Sequence, residues 1–263
     1  MKLNRLLCAA GALSLAATGC AYQGSSYGHN SWSAPTYSSY GTSYGASYRP
    51  AGYGVQHIGA TRLELEVGAE EFIDGDIIQA GNAVGPMTTT QTGYSDAFKR
   101  GYRVSAGLAR DVRPNTTVLA RGFYKEAEGE TGVPVGTIGA VTVNGQFSDY
   151  KSYGAELGLR QYVGAGRSGL RPYLGATVGA EYIDDITLTT AAPIALNEAG
   201  WVPTASGTAG IEMPVSRTAS LALESGIRWS GSQDRAAAAT AAGYTDDGSK
   251  LSVPVTLRGS FRF

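Results

Sequence analysis

The chain has 263 residues, of which 16% are charged, with 21 Lys and Arg against 22 Asp and Glu, and it contains 37 Gly. Soluble domains of ordinary composition carry about a quarter charged residues, so an extensive water-facing surface of the usual kind is excluded. The near-zero net charge likewise argues against nucleic acid as a partner.

The amino terminus reads as an export leader. Lys2 and Arg5 precede an apolar stretch from Leu6 to Ala17 that is too short to cross a bilayer as a helix, so residues 1–19 are expected to be a signal peptide. Cys8 lies inside this leader, and the mature chain is therefore expected to have no disulfide. The run Ala17-Thr-Gly-Cys20 is similar to the lipobox of bacterial lipoproteins, with Ala17 where Leu is usual. That resemblance implies lipidation of Cys20 as the first mature residue; cleavage near Ala21 by the ordinary signal peptidase is the alternative.

From Ala21 to about Ile58 the composition changes to small-aromatic units, as in Tyr37-Ser-Ser-Tyr40-Gly-Thr-Ser-Tyr44-Gly-Ala-Ser-Tyr48. With no Leu, one Val and hardly any charge, this segment cannot bury enough aliphatic surface to offset the entropy of ordering it. Residues 20–60 are expected to be a disordered tether, either a plain spacer or one whose spaced Tyr side chains bind peptidoglycan or associate with one another.

After Ala60 a two-residue alternation begins, the signature of a strand with one apolar and one polar face. Leu63, Leu65 and Val67 alternate with Glu64, Glu66 and Gly68; Tyr102, Val104 and Leu108 with Arg103, Ser105 and Gly107. The same rhythm runs through Tyr153–Arg160, Leu174–Tyr182, Leu221–Trp229 and Leu251–Phe263, and more weakly through Thr116–Lys125 and Trp201–Met213. That makes eight strands. Three connections are short and rich in turn formers, around Pro114, Gly164–Gly169 and Pro214–Arg217, while four near residues 74–97, 126–149, 184–199 and 231–249 are long. Eight strands with loops alternating in length predict an all-β fold over residues 61–263, an eight-stranded antiparallel up-and-down transmembrane β-barrel.

The face assignment follows from composition. A soluble barrel would expose its polar face, yet that face here is mostly Gly, Ser, Thr and Ala, which fits a crowded interior better than a wet surface. The inward positions then include Glu64, Glu66, Glu70, Arg103, Glu156, Arg160, Glu181, Glu212, Glu224, Arg228, Arg258 and Arg262. An eight-stranded barrel has room for little beyond its own side chains, so these charges are expected to pair into a network that closes the lumen; a narrow ion path is the alternative. Phe72, Phe98, Tyr102, Phe123, Tyr124, Tyr150, Tyr153, Tyr182, Trp201 and Trp229 fall near the long-loop ends of the strands, and Tyr162, Tyr173, Phe261 and Phe263 near the other ends. They are expected to form two girdles at the membrane interfaces. The long loops carry surplus acid, with Asp184-Asp185 and Asp246-Asp247 as adjacent pairs that would recruit divalent cations on the sharper reading.

Two segments carry a family resemblance. The last strand, ending Ser260-Phe-Arg-Phe263, and the segment Leu170-Arg-Pro-Tyr-Leu-Gly-Ala-Thr-Val-Gly-Ala-Glu-Tyr182 resemble the small eight-stranded outer-membrane barrels of bacteria, of the OmpA/OmpX type. The resemblance implies an outer-membrane location with both termini periplasmic, contact with outer-membrane lipid and lipopolysaccharide, and recognition of Phe261 and Phe263 by the barrel-insertion machinery. Enzymes of this architecture mostly rely on a His at the outer rim, and the chain has His29 and His57 with none beyond. No catalytic activity, metal or cofactor is therefore expected. The expected function is that of a structural or interaction protein of the envelope, the alternative a small passive channel.

Overall fold

The computed structural model describes residues 59–163, 169–245 and 248–263. Cys20, the Tyr-rich tract, His29, His57 and the Asp246-Asp247 pair lie outside the described residues. In chain order the strands are β1 (Thr61–Asp74), β2 (Asp76–Ile78), β3 (Ala83–Val84), β4 (Met87–Thr89) and β5 (Thr92–Gly93), followed by the short helix α1 (Tyr94–Ala97). Then come β6 (Gly101–Arg113), β7 (Thr116–Ala127), β8 (Thr131–Ile138), β9 (Val141–Phe147), β10 (Tyr150–Tyr162), β11 (Arg171–Ile183), β12 (Ile186–Thr189) and β13 (Pro193–Asn197). The chain finishes with β14 (Gly200–Pro214), β15 (Ala219–Ser230), helix α2 (Ala237–Ala242) and β16 (Lys250–Arg262).

Eight long strands close into one antiparallel barrel in the order β1-β16-β15-β14-β11-β10-β7-β6. Closure is made by the first strand on the last, with Leu63 opposite Phe261 and Val67 opposite Leu257. The period-two pattern decides what faces out: Leu157, Val178 and Leu223 are 65%, 64% and 60% exposed, whereas Glu64, Arg160 and Arg258 are buried. A barrel with aliphatics outside and charges within is inverted relative to a soluble one, and only a lipid surround gives that exterior a favourable solvent. The fold is thus an eight-stranded transmembrane barrel.

The outer girdle forms, but from fewer residues than the strand-end reading suggests. Tyr124, Tyr153, Tyr182 and Trp201 stand in one register row across β7, β10, β11 and β14, and Tyr102 and Trp229 are exposed as well. Phe72, Phe98, Phe123 and Tyr150 are buried instead, and so are Tyr162 and Tyr173 at the short-turn end. The reason is parity. Phe123 is in step with inward Arg121 and Lys125, Tyr162 with Arg160 and Tyr173 with Glu181, so nearness to a strand end did not put these rings on the lipid face.

The four long connections are not open loops. Their short strands build a six-stranded sheet, in the order β13-β12-β9-β8-β4-β3, and a ribbon of β2 with β5. Ile77, Ile78, Met87, Val133, Val135, Ile186, Leu188, Leu196, Ala236 and Ala239 pack into one core with Phe72, Phe98, Tyr150, Ile183 and Val202 from the barrel's end. This second layer, a cap, covers the barrel mouth on the long-loop side.

Candidate functional site

The lumen is filled by ion pairs stacked along the barrel axis. Nearest the short turns, Arg62 donates to Asp111 at 2.8 Å, to Thr117 at 3.0 Å and to Glu212 at 3.4 Å. Arg258 donates to Glu212 and Glu224, each at 3.2 Å. Arg160 meets Glu64 through two parallel bonds of 2.7 and 2.8 Å, the planar fork geometry that gives guanidinium–carboxylate pairs their directionality. Tyr162 and Tyr173 donate their hydroxyls to Glu212 and Glu224 at 2.7 and 2.8 Å, which explains why these rings point inward.

Halfway up, Arg121 spans Glu66 at 2.7 Å and Glu156 at 2.8 Å. Above it Glu156 also accepts from Arg103 at 3.0 Å and from Arg228, so one carboxylate is shared by three guanidinium groups. Arg228 continues to Glu181 at 3.1 Å, and Lys125 to Glu70 at 2.7 Å. The uppermost cations lie against rings: Arg103 is 4.2 Å from the centre of Phe123 and Lys125 is 4.0 Å from that of Phe72. There the charged stack passes into the hydrophobic cap.

Glycines on the inward face make room for these groups. A Cβ at Gly154 would fall 2.9 Å from the Phe123 ring, and one at Gly210 would collide with the ring of Tyr173. At mid-height a cavity of about 10 Å³ is bordered by Glu66, Arg103, Arg121, Glu224 and Arg228. That is about the size that admits a single water.

The structure places Glu64, Glu66, Glu70, Arg103, Glu156, Arg160, Glu181, Glu212, Glu224, Arg228 and Arg258 in this lumen, while Arg262 is half-buried at its short-turn end. Phe261 and Phe263 are exposed on the outside at that end. Sequence reasoning missed Arg62, Asp111, Arg121, Lys125 and Lys250 as lumen groups. Parity carried the signal for three of them: Arg62 is in step with Glu64, Asp111 with Arg103, and Lys250 with Ser252.

The cap has its own polar pin. Arg235 is buried beneath α2 and donates to the carbonyl oxygens of Ile77 and Thr245 at 2.9 and 2.8 Å and to the Asn197 amide oxygen at 2.6 Å, tying the last connection to the first and third. Tyr244 is packed in the cap, and burial raises its phenol above the ordinary value, opposed by nearby Arg235. Charge is distributed unevenly over this layer. Residues 77–95, 131–148 and 186–197 contain no charged side chain, and acids flank them at Asp76 and Asp96, Glu130 and Asp149, and Asp185 and Glu198. Three of the four loops are therefore acidic at their bases and uncharged along their length, while the fourth carries Asp234, Arg235, Asp246 and Asp247 within it, so acidic display is narrower than expected. At the base Lys99 donates to Glu128 at 2.8 Å, and this bond raises the Lys99 amine above its usual value. Among the described residues no group of three or more His, Cys, Asp or Glu side chains is placed to hold a metal ion.

No protein-family model matches the chain, and no curated protein matches it either. Among solved structures, the chain is similar to Neisserial surface protein A, with 11% identity and a TM-score of 0.41, over 78% of this chain and 97% of that one. It is similar also to the outer membrane protein OprG of Pseudomonas aeruginosa, with 12% identity, a TM-score of 0.42 and coverage of 80% and 99%. A third is Ail, the attachment invasion locus protein of Yersinia pestis, at 12% identity and a TM-score of 0.39 over 79% and 100%. These are distant likenesses of fold, and no role is carried over from them. The class defined by the chain's own geometry is an eight-stranded barrel of outer-membrane type, with a charge-filled lumen and a folded cap.

Proposed function

We propose that this protein is a closed structural and display barrel of the bacterial outer membrane, one that stabilises the envelope and presents its largely uncharged cap outward on an acidic collar. The supporting observation is the lumen. Eleven predicted charges and their partners occupy it, the mid-height cavity among them has space for about one water, and the cap's apolar core lies across its mouth. In planar bilayers the purified full chain is expected to give no stable openings. Steady ion-sized conductance would favour the passive channel instead. Catalysis has no part in this reading, since no His follows His57 to serve as the usual base.

The reading also sets orientation, with the short turns and both termini in the periplasm. Ala140→Cys, at the β8–β9 turn, should react with a membrane-impermeant maleimide on intact cells, and Ser216→Cys, at the β14–β15 turn, should react only after lysis. The reverse pattern would invert the topology. Lipidation of Cys20 belongs to the same proposal, as do contact of the tail with peptidoglycan and recognition of Phe261 and Phe263 by the insertion machinery. Labelled palmitate should enter the wild type and not Cys20→Ala; equal labelling of the two would remove the anchor from the proposal.

A further inference from the structure

Among the described side chains at the short-turn end, the exposed charges are all of one sign. Arg110, Arg113 and Arg217 are exposed and make no ion pair among the described residues. The acidic side chains at the same level, Glu64, Asp111 and Glu212, are buried and already engaged by Arg160, Arg62 and Arg258. Among the described residues no acidic side chain pairs with these three cations.

Each also has an exposed apolar neighbour. Arg110 stands on the outer face of β6 between Leu108 and Val112, which are 51% and 43% exposed; Arg113 follows Val112, and Arg217 lies two residues beyond Val215, 59% exposed. Half-buried Arg262 sits between Phe261 and Phe263. An apolar side chain pointing to lipid beside an arginine that reaches past it is the arrangement a headgroup layer favours, with the stem in hydrocarbon and the guanidinium at the phosphate. The positions are also spread out. The hairpin carrying Arg113 joins β6 to β7, that carrying Arg217 joins β14 to β15, and two strands separate the hairpins on either side, β1 with β16 and β10 with β11. Cations on opposite sides of a rim suit a partner that surrounds the barrel rather than a single ligand.

We propose that this rim is a binding surface for anionic phospholipid, with Arg110, Arg113 and Arg217 engaging headgroup phosphates and Val112, Val215 and Phe263 seated among the acyl chains. It rests on the transmembrane reading and adds to it a chemical preference in the leaflet around the short turns. Guanidinium matches phosphate through paired N–H donors. Because the opposite rim is acidic, this preference also biases which way the barrel sits in an asymmetric membrane.

The test uses the folded full chain in phosphatidylcholine vesicles containing trace spin-labelled phosphatidylglycerol or phosphatidylcholine, and reads how much of each probe is immobilised at the barrel. The wild type should favour phosphatidylglycerol by ~10-fold or more, each basic group near a membrane surface contributing about fivefold. Combined Arg110→Gln, Arg113→Gln and Arg217→Gln should abolish the preference, and Lys99→Gln with Lys151→Gln at the far rim should keep it. A triple variant that retains the preference, or a wild type without one, overturns the proposal. Should the triple variant not fold, salt on the wild type decides: the preference must fade as ionic strength screens exposed charges, and a salt-independent preference is equally fatal. Inorganic phosphate should compete no better than chloride at equal ionic strength; stronger competition would reject lipid as the occupant. Heat-modifiable gel mobility reads insertion separately, so failure of the barrel itself shows there and not as a changed lipid ratio.

Discussion

Within the lumen, the residue whose loss is felt most should be Glu156. It holds Arg103, Arg121 and Arg228 together, and its side chain is inaccessible to solvent. Removing one member of a buried ionic set leaves uncompensated charge and costs about 3–5 kcal/mol, so Glu156→Gln should lower the urea midpoint of refolding in vesicles by a corresponding amount. Glu71→Gln is the matched control, because its pair with Arg100 at 2.8 Å lies in solvent, where such pairs contribute ~1 kcal/mol or less. Equal shifts in the two variants would mean the lumen is hydrated enough to screen its ions. Most of this network was legible from residue parity alone, since Glu64, Glu156, Arg160 and Arg258 each fall on the polar face of a clean alternation. Arg121 and Lys125 escaped because β7 alternates poorly, its exterior interrupted by Gly122 and its interior carrying Phe123. The buried Tyr162 and Tyr173 show the complementary lesson: which side a ring faces was written in its phase with Arg160 and Glu181, not in its distance from the strand end.

Among the elements, the barrel strands and the cap differ in how they are stabilised. A long strand with period two announces its register, and six of the eight barrel strands were plainly readable for that reason, with β7 and β14 weaker. The cap strands are two to eight residues long, buried on more than one side, and so read as loops with scattered apolar runs. Their stability is that of a small soluble core. Val135→Ala and Leu188→Ala remove fully buried side chains from it; for Leu to Ala the cost is about 2–5 kcal/mol. Both variants should become sensitive to protease in the cap while the barrel keeps its folded gel mobility, and simultaneous loss of the two would show that cap and barrel are one cooperative unit. The cap should also respond to alkali. Burial raises the Tyr244 phenol above its unfolded value of about 10, so its contribution to stability is full below that pH and is lost as pH climbs through the folded value. Protease sensitivity of the cap should accordingly rise in this alkaline window, and Tyr244→Phe should flatten that part of the pH profile; an unchanged profile would assign the transition to other groups.

At the scale of the whole molecule the chain has two layers in series, built from opposite chemistries, and on the proposed reading each of them acts as a seal. The lower is ionic and spans the barrel from Arg62 to Lys125. The upper is apolar and lies across the mouth from Phe72 to Tyr244. On the proposed closed-barrel reading the ionic stack acts as a seal, because its members are paired and the mid-height cavity among them is about 10 Å³, and it should exclude ions without help from the cap. Replacing residues 131–147 with a short Gly-Ser turn removes β8 and β9, the centre of the cap sheet, and is expected to open the upper lumen around Lys125, Glu70 and Arg228 to bulk water. Water reaching these groups would compete for their upper bonds but would leave the bidentate Arg160–Glu64 pair and the Arg258 bonds below untouched. The truncated barrel is therefore expected to stay silent in planar bilayers, while its stability falls by the loss of the cap core. Discrete openings in the truncated protein, against silence in the full chain, would instead make the cap the gate of an otherwise permeable lumen and turn the ionic stack from a plug into the lining of a path.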